Sequence, residues 1–310
     1  MNSLAAPEFD LRHTLASGQT FRWRRTADDG YLGVIAGALV EVWQEGDRLH
    51  YRASSPAIDD AFLIRYFSLD RDLPAILDDI DRDPHIHDAV RRYRGLRLIR
   101  QEPWECLASY ILSSFNNIRR IEGMIERLAQ RFGAPVSLDG YASHAFPTVQ
   151  AIAAASIDTL TGLGLGFRAA YLRDAAQQIA QERVDLSSLS RLPYDEAKAI
   201  LLTLPGVGDK VADCILLFSQ EQTEAFPIDV WMERALRFYF RRKLPSRARQ
   251  HAFARRHFGR YAGYAQQYLF HHLRHKQRVP ELPLATPCAA VSQPRPEVTA
   301  ALAHDHDAIS

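Results

Sequence analysis

Cysteine is scarce in this chain. Cys106, Cys214 and Cys288 are the only ones in 310 residues, an odd number with no paired spacing, which excludes a disulfide framework and a cysteine-held metal cluster. Long apolar runs are missing as well. Charged residues interrupt each run well short of the roughly 20 residues that a membrane span needs, and Met1 to Ala16 lacks the continuous apolar core of a signal peptide. The expectation is an intracellular protein without membrane contact, cytoplasmic and nucleoid-associated in a bacterium or nuclear in a eukaryote. A dinucleotide fingerprint is absent too. The run Gly162-Leu163-Gly164-Leu165-Gly166 lies between helical patterns and not after a strand, so neither a nucleotide nor any other cofactor is expected. Net charge is only +1, yet it is unevenly placed: Trp231 to Arg260 holds ten Lys or Arg and a single acid, Glu233. A solvated helix face and a nucleic-acid contact both remain open for that run.

What is present is 47% hydrophobic residues, enough for a substantial core in two or three domains. From Phe21 to Ala53 short runs alternate with period two between Asp28-Asp29-Gly30 and Glu45-Gly46-Asp47, which predicts a small antiparallel sheet. After Ser55-Pro56 apolar residues recur at three- and four-residue intervals. Helices are predicted over Pro56 to Phe67, Leu73 to Ile80, His85 to Tyr93, Pro103 to Phe115, Asn117 to Phe132, Thr148 to Leu160, Phe167 to Gln181 and Tyr194 to Thr203. Further ones follow over Asp229 to Phe240, Arg247 to His257 and Tyr261 to His275. The fold class is α+β: a sheet domain with its following helices over residues 1–100, a helical core over 101–279, and a disordered Pro-rich tail over 280–310. In that tail His304-Asp305-His306-Asp307 is compatible with metal chelation or with simple solvation.

The chain is organised around Thr203 to Trp231. Pro205-Gly206-Val207-Gly208 bends the backbone between two helical patterns and opens a helix. The N–H groups at such a start, with its partial positive charge, form a grip for phosphate at Gly206, Val207 and Gly208. Lys210 falls in the first turn, where the dipole disfavours an amine. It is either surface charge, a phosphate contact, or a nucleophile whose free amine burial and the dipole make accessible. Lys210, Asp213 and Cys214, spaced i, i+3, i+4, share a face that is expected to line a pocket. Asp229 follows Pro227 and precedes a helix, as an N-cap, as a carboxylate beside a developing oxocarbenium ion, or as both. Taken alone, Ser17-Gly18-Gln19-Thr20 reads as an ordinary loop.

With further segments in the same order, this stretch resembles the helix-hairpin-helix DNA glycosylases. From about Phe9 to Arg274 the chain resembles the 8-oxoguanine DNA glycosylase family. The segments are Ser17 to Trp23, Asp83-Pro84-His85, Arg97 to Pro103, Asn116-Asn117-Ile118, Gly164 to Tyr171, the central stretch, and Tyr261 to Phe270. The resemblance implies a base-flipping glycosylase and lyase, acting as a monomer without metal on duplex DNA containing oxidised guanine. In it Lys210 attacks C1′ and Asp229 stabilises the positive charge. Cys214 and Phe270 sandwich the base, Gln266 bonds its Watson–Crick edge, and the Gly18 carbonyl accepts the lesion's N7–H. Arg120 and Arg168 read the opposite cytosine, Phe167 is a wedge, and Asn116 belongs to the gap-filling loop. Two departures stand out. Phe115 replaces a gap-filling asparagine and is expected to stack instead, and Trp231 replaces a histidine near phosphate. Two alternatives stay open: a relative acting on other damaged bases, and a non-catalytic helix-hairpin-helix DNA-binding protein. The endonuclease III branch usually adds a four-cysteine iron–sulfur loop, which is not present here.

Overall fold

Alternating strands at the start of the chain and capped helices after them divide the molecule as the periodicity predicts. The computed structural model describes residues 2–239, 246–276 and 282–286. One antiparallel sheet contains β1 (Asn2–Ala5), β2 (Arg24–Arg25), β3 (Tyr31–Ile35), β4 (Ala38–Glu45) and β5 (Arg48–Ala53), in the order β1-β5-β4-β3-β2. Within it β4 pairs with β5 from Val40↔Ala53 to Glu45↔Arg48. The edge strand β1 escapes sequence reading because four residues are too few to display a period. Helix α1 (Leu11–Ala16) precedes β2, and its segment carries no extended apolar repeat.

The helices that follow start on side chains suited to the task. Asp59, Asp72 and Asp83 cap α2 (Asp60–Tyr66), α3 (Leu73–Ile80) and α4 (Pro84–Arg92). Glu102 and Asn117 cap α5 (Pro103–Leu112) and α6 (Ile118–Phe132). Each such cap contributes about 1 kcal/mol by satisfying N–H groups left open at a helix start. Next come a hairpin of β6 (Pro135–Leu138) and β7 (Tyr141–His144), and then α7 (Val149–Ala153), α8 (Ile157–Gly162), α9 (Arg168–Ala180) and α10 (Tyr194–Leu201). The fold ends with α11 (Asp209–Ser219), α12 (Val230–Tyr239), α13 (Arg247–Phe258) and α14 (Ala262–Lys276).

Three expectations change. The single helix over 148–160 is two, because the Ser156 hydroxyl accepts from Thr159 N and starts α8 afresh. The β6–β7 hairpin turns through Asp139 (φ 45°) and Gly140 (φ 84°), the left-handed pair of a two-residue turn. Val136, Leu138 and Tyr141 of this hairpin cover Leu32, Val34 and Leu39 on one face of the sheet, so a piece of the 101–279 segment completes the packing of the 1–100 segment. Within the segment read as a tail, Pro283 O accepts from Arg25 N at 2.8 Å and Leu284 bridges to Arg25. Residues 280, 281 and 287–310, with His304 to Asp307, lie outside the described residues.

The large core centres on α5 and α11. Residues 106–112 of the first and 211–218 of the second are buried without interruption, the signature of helices enclosed on all sides. The end of α5 and the start of α11 meet, and that junction positions Lys210.

Candidate active site

The hairpin between α10 and α11 turns through Gly206, at φ 79°. A Cβ there would meet Tyr171 at 2.8 Å, so conformation and space both require glycine. Gly208 caps α11 with no side-chain hydrogen bond, which leaves the first N–H groups of the helix free for an external anion.

Lys210 Nζ donates to Ser113 Oγ at 2.9 Å and lies 5.0 Å from the centre of the Tyr110 ring. Ser113 is the C-cap of α5. The amine therefore meets the partially negative end of α5, which offsets the unfavourable start of its own helix. Cys214, one turn along α11, is buried, and its thiol is pushed up to about 12 by burial, against the pull of Lys210 and with Asp213 and Asp229 adding to the rise. It remains a neutral, polarisable surface. Asp229 Oδ1 accepts from Met232 N at 2.8 Å and caps α12.

Asp213 departs from expectation. It accepts from Tyr194 OH at 2.6 Å and lies 3.0 Å from Lys198 Nζ, turned toward α10 while Lys210 faces α5. Spacing of i, i+3 permits a shared face, but the partners on α10 take Asp213 out of it.

Gly18 follows the C-cap of α1 at φ 79°. Its segment is no ordinary loop, since Ser17 and Gln19 are fully buried. Gln19 Nε2 donates to Thr14 O and Arg97 O, Gln19 Oε1 accepts from Ile99 N, and Gln19 O accepts from Tyr110 OH. Gln267 Nε2 reaches Ser17 O at 3.1 Å. These bonds fix the backbone at Gly18 against α14, on which Gln266, Phe270 and Arg274 follow one another at four-residue spacing along one face. Gln266 is 5% exposed, and its Oε1 has no hydrogen-bond partner among the described residues. The Arg274 Nη1 is likewise unpartnered, 2.2 Å from where a Cβ on Gly18 would stand. Its guanidinium lies 5.4 Å from the Phe270 ring centre. Burial pulls Arg274 down to about 10, with the Asp229 and Glu122 carboxylates opposing that change. Sequence reasoning missed Arg274 and Ser113; the i+4 step beyond Phe270 is the one signal that pointed to the arginine.

Across the α5–α6 loop Phe115 is 96% exposed at φ 49°. Asn116 is occupied within the loop, donating to Leu112 O and accepting from Asn117 N. Arg168 is largely buried and clamps the loop through Nε to Ser114 O at 2.8 Å and Nη2 to Phe115 O at 3.1 Å. Its guanidinium stacks 4.3 Å from the ring centre of the exposed Phe167. Burial and the neighbouring Arg120 both lower the basicity of Arg168; Arg120 itself is exposed. In the basic run Arg234 lies over the Trp231 ring, Arg237 and Arg247 pair with Glu233, and Arg255 pairs with Asp195. A separate cavity of about 360 Å³, lined by Trp23, Tyr66, Gln101 and Glu105 among others, contains none of the candidate site residues.

The profile of the 8-oxoguanine DNA glycosylase N-terminal domain matches residues 3–107, and that of the HhH-GPD superfamily base excision DNA repair protein matches 108–254. This chain belongs to the 8-oxoguanine DNA glycosylase family. It is 32% identical over 287 residues to an N-glycosylase/DNA lyase of Arabidopsis thaliana, covering 86% of this chain and 78% of that one. Against a probable N-glycosylase/DNA lyase of Methanothermobacter thermautotrophicus it is also 32% identical, covering 86% and 94%. The solved structure of the Clostridium acetobutylicum 8-oxoguanine glycosylase/lyase, in complex with double-stranded DNA containing cytosine opposite 8-oxoguanine, is 32% identical. It superposes with a TM-score of 0.83 over 87% of this chain and 93% of that chain. In the family's order, the sheet unit supplies the Gly18 segment and the HhH-GPD unit supplies Lys210 and Asp229.

Proposed function

We propose that this protein flips 8-oxoguanine out of duplex DNA, excises it with Lys210 and nicks the resulting abasic strand. The amine nitrogen bonds to C1′ as the C1′–N9 bond breaks, and the base leaves with a proton. Asp229 stabilises the oxocarbenium character of the sugar. The covalent sugar–lysine adduct opens to a Schiff base; loss of a C2′ proton then expels the 3′ phosphate. The observation that carries this reading is the amine itself, fixed on Ser113 Oγ at the meeting of two buried helices.

The flipped base stacks between Cys214 and Phe270. Gln266 Oε1, a buried acceptor without a partner among the described residues, takes the donors of the Watson–Crick edge, the Gly18 carbonyl takes N7–H, and the Arg274 Nη1 supplies a donor beside it. A single such hydrogen bond discriminates by about 1–3 kcal/mol, so flipping and chemistry must add selectivity against undamaged guanine. On the other strand Phe115 fills the gap by stacking, Phe167 wedges, Arg120 approaches the orphaned base, and Arg168 joins it once the loop it clamps moves aside. Gly206, Val207 and Gly208 grip phosphate. Among the described residues no helix is long and apolar enough to cross a membrane, and the substrate assigns the enzyme to the nucleoid or the nucleus. Borohydride reduction during turnover tests the reading. A covalent enzyme–DNA adduct is expected, and DNA binding without an adduct under any condition would exclude it.

A further inference from the structure

Behind the base pocket three histidines converge. His13 projects from α1, and His271 and His275 stand one turn apart on α14, the i, i+4 spacing that points two side chains to one place. The ligand atoms of all three lie within 4.8 Å of one another, and His13 Nδ1 and His271 Nε2 are 3.2 Å apart. A tetrahedral zinc ion with bonds of about 2.0–2.1 Å separates neighbouring ligand nitrogens by about 3.3–3.4 Å, so this pair already has the required spacing. The other nitrogen of His13, Nε2, lies 3.9 Å from Asp10 Oδ2. A carboxylate there is the partner that commonly orients a metal-bound imidazole.

Burial lowers the basicity of all three rings, which favours the neutral form that presents a lone pair. Two environments compete. Arg12, Arg92 and Arg274 act on the cluster and oppose a cation; Asp10 favours one. Tyr93 packs edge-on against His13 and His271 and obliquely against His275, so ring packing alone explains part of the arrangement. It does not explain the convergence of a third nitrogen, because a hydrogen bond between two neutral imidazoles satisfies only His13 and His271. His271 is buried while His275 is exposed, which gives an ion a route in from solvent.

We propose that His13, His271 and His275 form a binding site for a first-row divalent metal ion, with Zn²⁺ as the ion to test and water as its fourth ligand. The metal staples α1 to α14. Because α1 leads directly into Gly18 and α14 carries Gln266 and Phe270, the staple sets the width of the pocket without entering its chemistry. It is a structural site and does not depend on which base is excised.

The test uses the untagged full-length chain carrying His304→Ala and His306→Ala, which removes the competing histidines near the C-terminus. Titration with Zn²⁺ against a chromophoric chelator should find one ion per chain. His275→Ala, at an exposed ring, should weaken that binding at least tenfold while leaving the metal-free circular dichroism and Tm unchanged. Zn²⁺ should raise Tm in the parent and not in His275→Ala, and Co²⁺ should give visible bands of a four-coordinate site only in the parent. A parent that retains no Zn²⁺ overturns the proposal. So does binding that His275→Ala and His13→Asn both leave unchanged.

Discussion

Lys210 Nζ donates to Ser113 Oγ at 2.9 Å, across the junction where α5 ends and α11 begins. The serine hydroxyl donates in turn to Tyr110 O at 2.7 Å, so the amine is aimed by a chain of two hydrogen bonds anchored in the core. Ser113→Ala removes that bond and keeps the Lys210 amine. Single-turnover excision of 8-oxoguanine is expected to slow about two- to tenfold, corresponding to a hydrogen bond of about 0.5–1.5 kcal/mol, with DNA affinity unchanged. An unaltered rate would remove Ser113 from the mechanism.

Arg274 is a half-buried cation whose Nη1 has no hydrogen-bond partner among the described residues, and such a group costs the fold energy. Arg274→Leu is therefore expected to leave Tm unchanged or higher, while lowering the single-turnover rate on 8-oxoguanine about tenfold through loss of a donor in the pocket. Thermal unfolding and excision measured on the same preparation separate the two effects. A less stable variant with full activity would make Arg274 a structural residue only.

How much of this was legible in the chain depends on how far apart the partners are. The sheet and most helices follow from period and caps, because those signals are local. The Asp139-Gly140 turn is an equally local signal and marks a hairpin among helices. Ser17 to Thr20 looks like a surface loop because the groups that bury it, Arg97, Ile99 and Gln267, are about 80 or 250 residues away. Asp213 shows the converse. Its spacing from Lys210 and Cys214 is right for a pocket, yet Tyr194 and Lys198 of the preceding helix hold it elsewhere. Lys210, Asp229 and Gln266 stood out through residue type and resemblance, whereas Ser113 and Arg274 acquire meaning only from contacts made by the fold.

The Lys198–Asp213 pair makes a pH-dependent prediction. Burial pushes the Asp213 carboxyl up to about 6, against the pull of Lys198. A folded value above the unfolded one of about 4 means that its contribution to stability is present at low pH and is lost as pH rises through 6. Lys198→Met takes away the largest opposing influence and strands the carboxylate, costing about 3–5 kcal/mol at pH 7.5. At pH 5 Asp213 takes up a proton, and His251, which burial and then Lys198 hold down to about 4, takes one more easily once the lysine is gone. Urea unfolding at the two pH values should show less than half the loss at pH 5. An equal loss at both would mean that the pair acts through packing and not charge.

Phe115 carries the opposite-strand prediction. Its ring is presented to solvent in a left-handed backbone conformation, and stacking distinguishes bases weakly. Excision opposite C, A, G and T should differ only modestly in the native enzyme, and Phe115→Ala should slow all four together. A strong preference for C that survives the substitution would assign discrimination to Arg120 and Arg168 alone.

The most direct measurement is borohydride trapping with the native enzyme and Lys210→Gln on duplexes that hold either 8-oxoguanine or guanine opposite cytosine. The native enzyme should form a covalent adduct with the 8-oxoguanine duplex and little with the guanine duplex, and Lys210→Gln should bind both and trap neither. Adduct formation by Lys210→Gln at the native rate, or equal trapping of the two duplexes, would contradict the assignment of Lys210 as the nucleophile and of the Gly18–Phe270 pocket as the reader of the lesion.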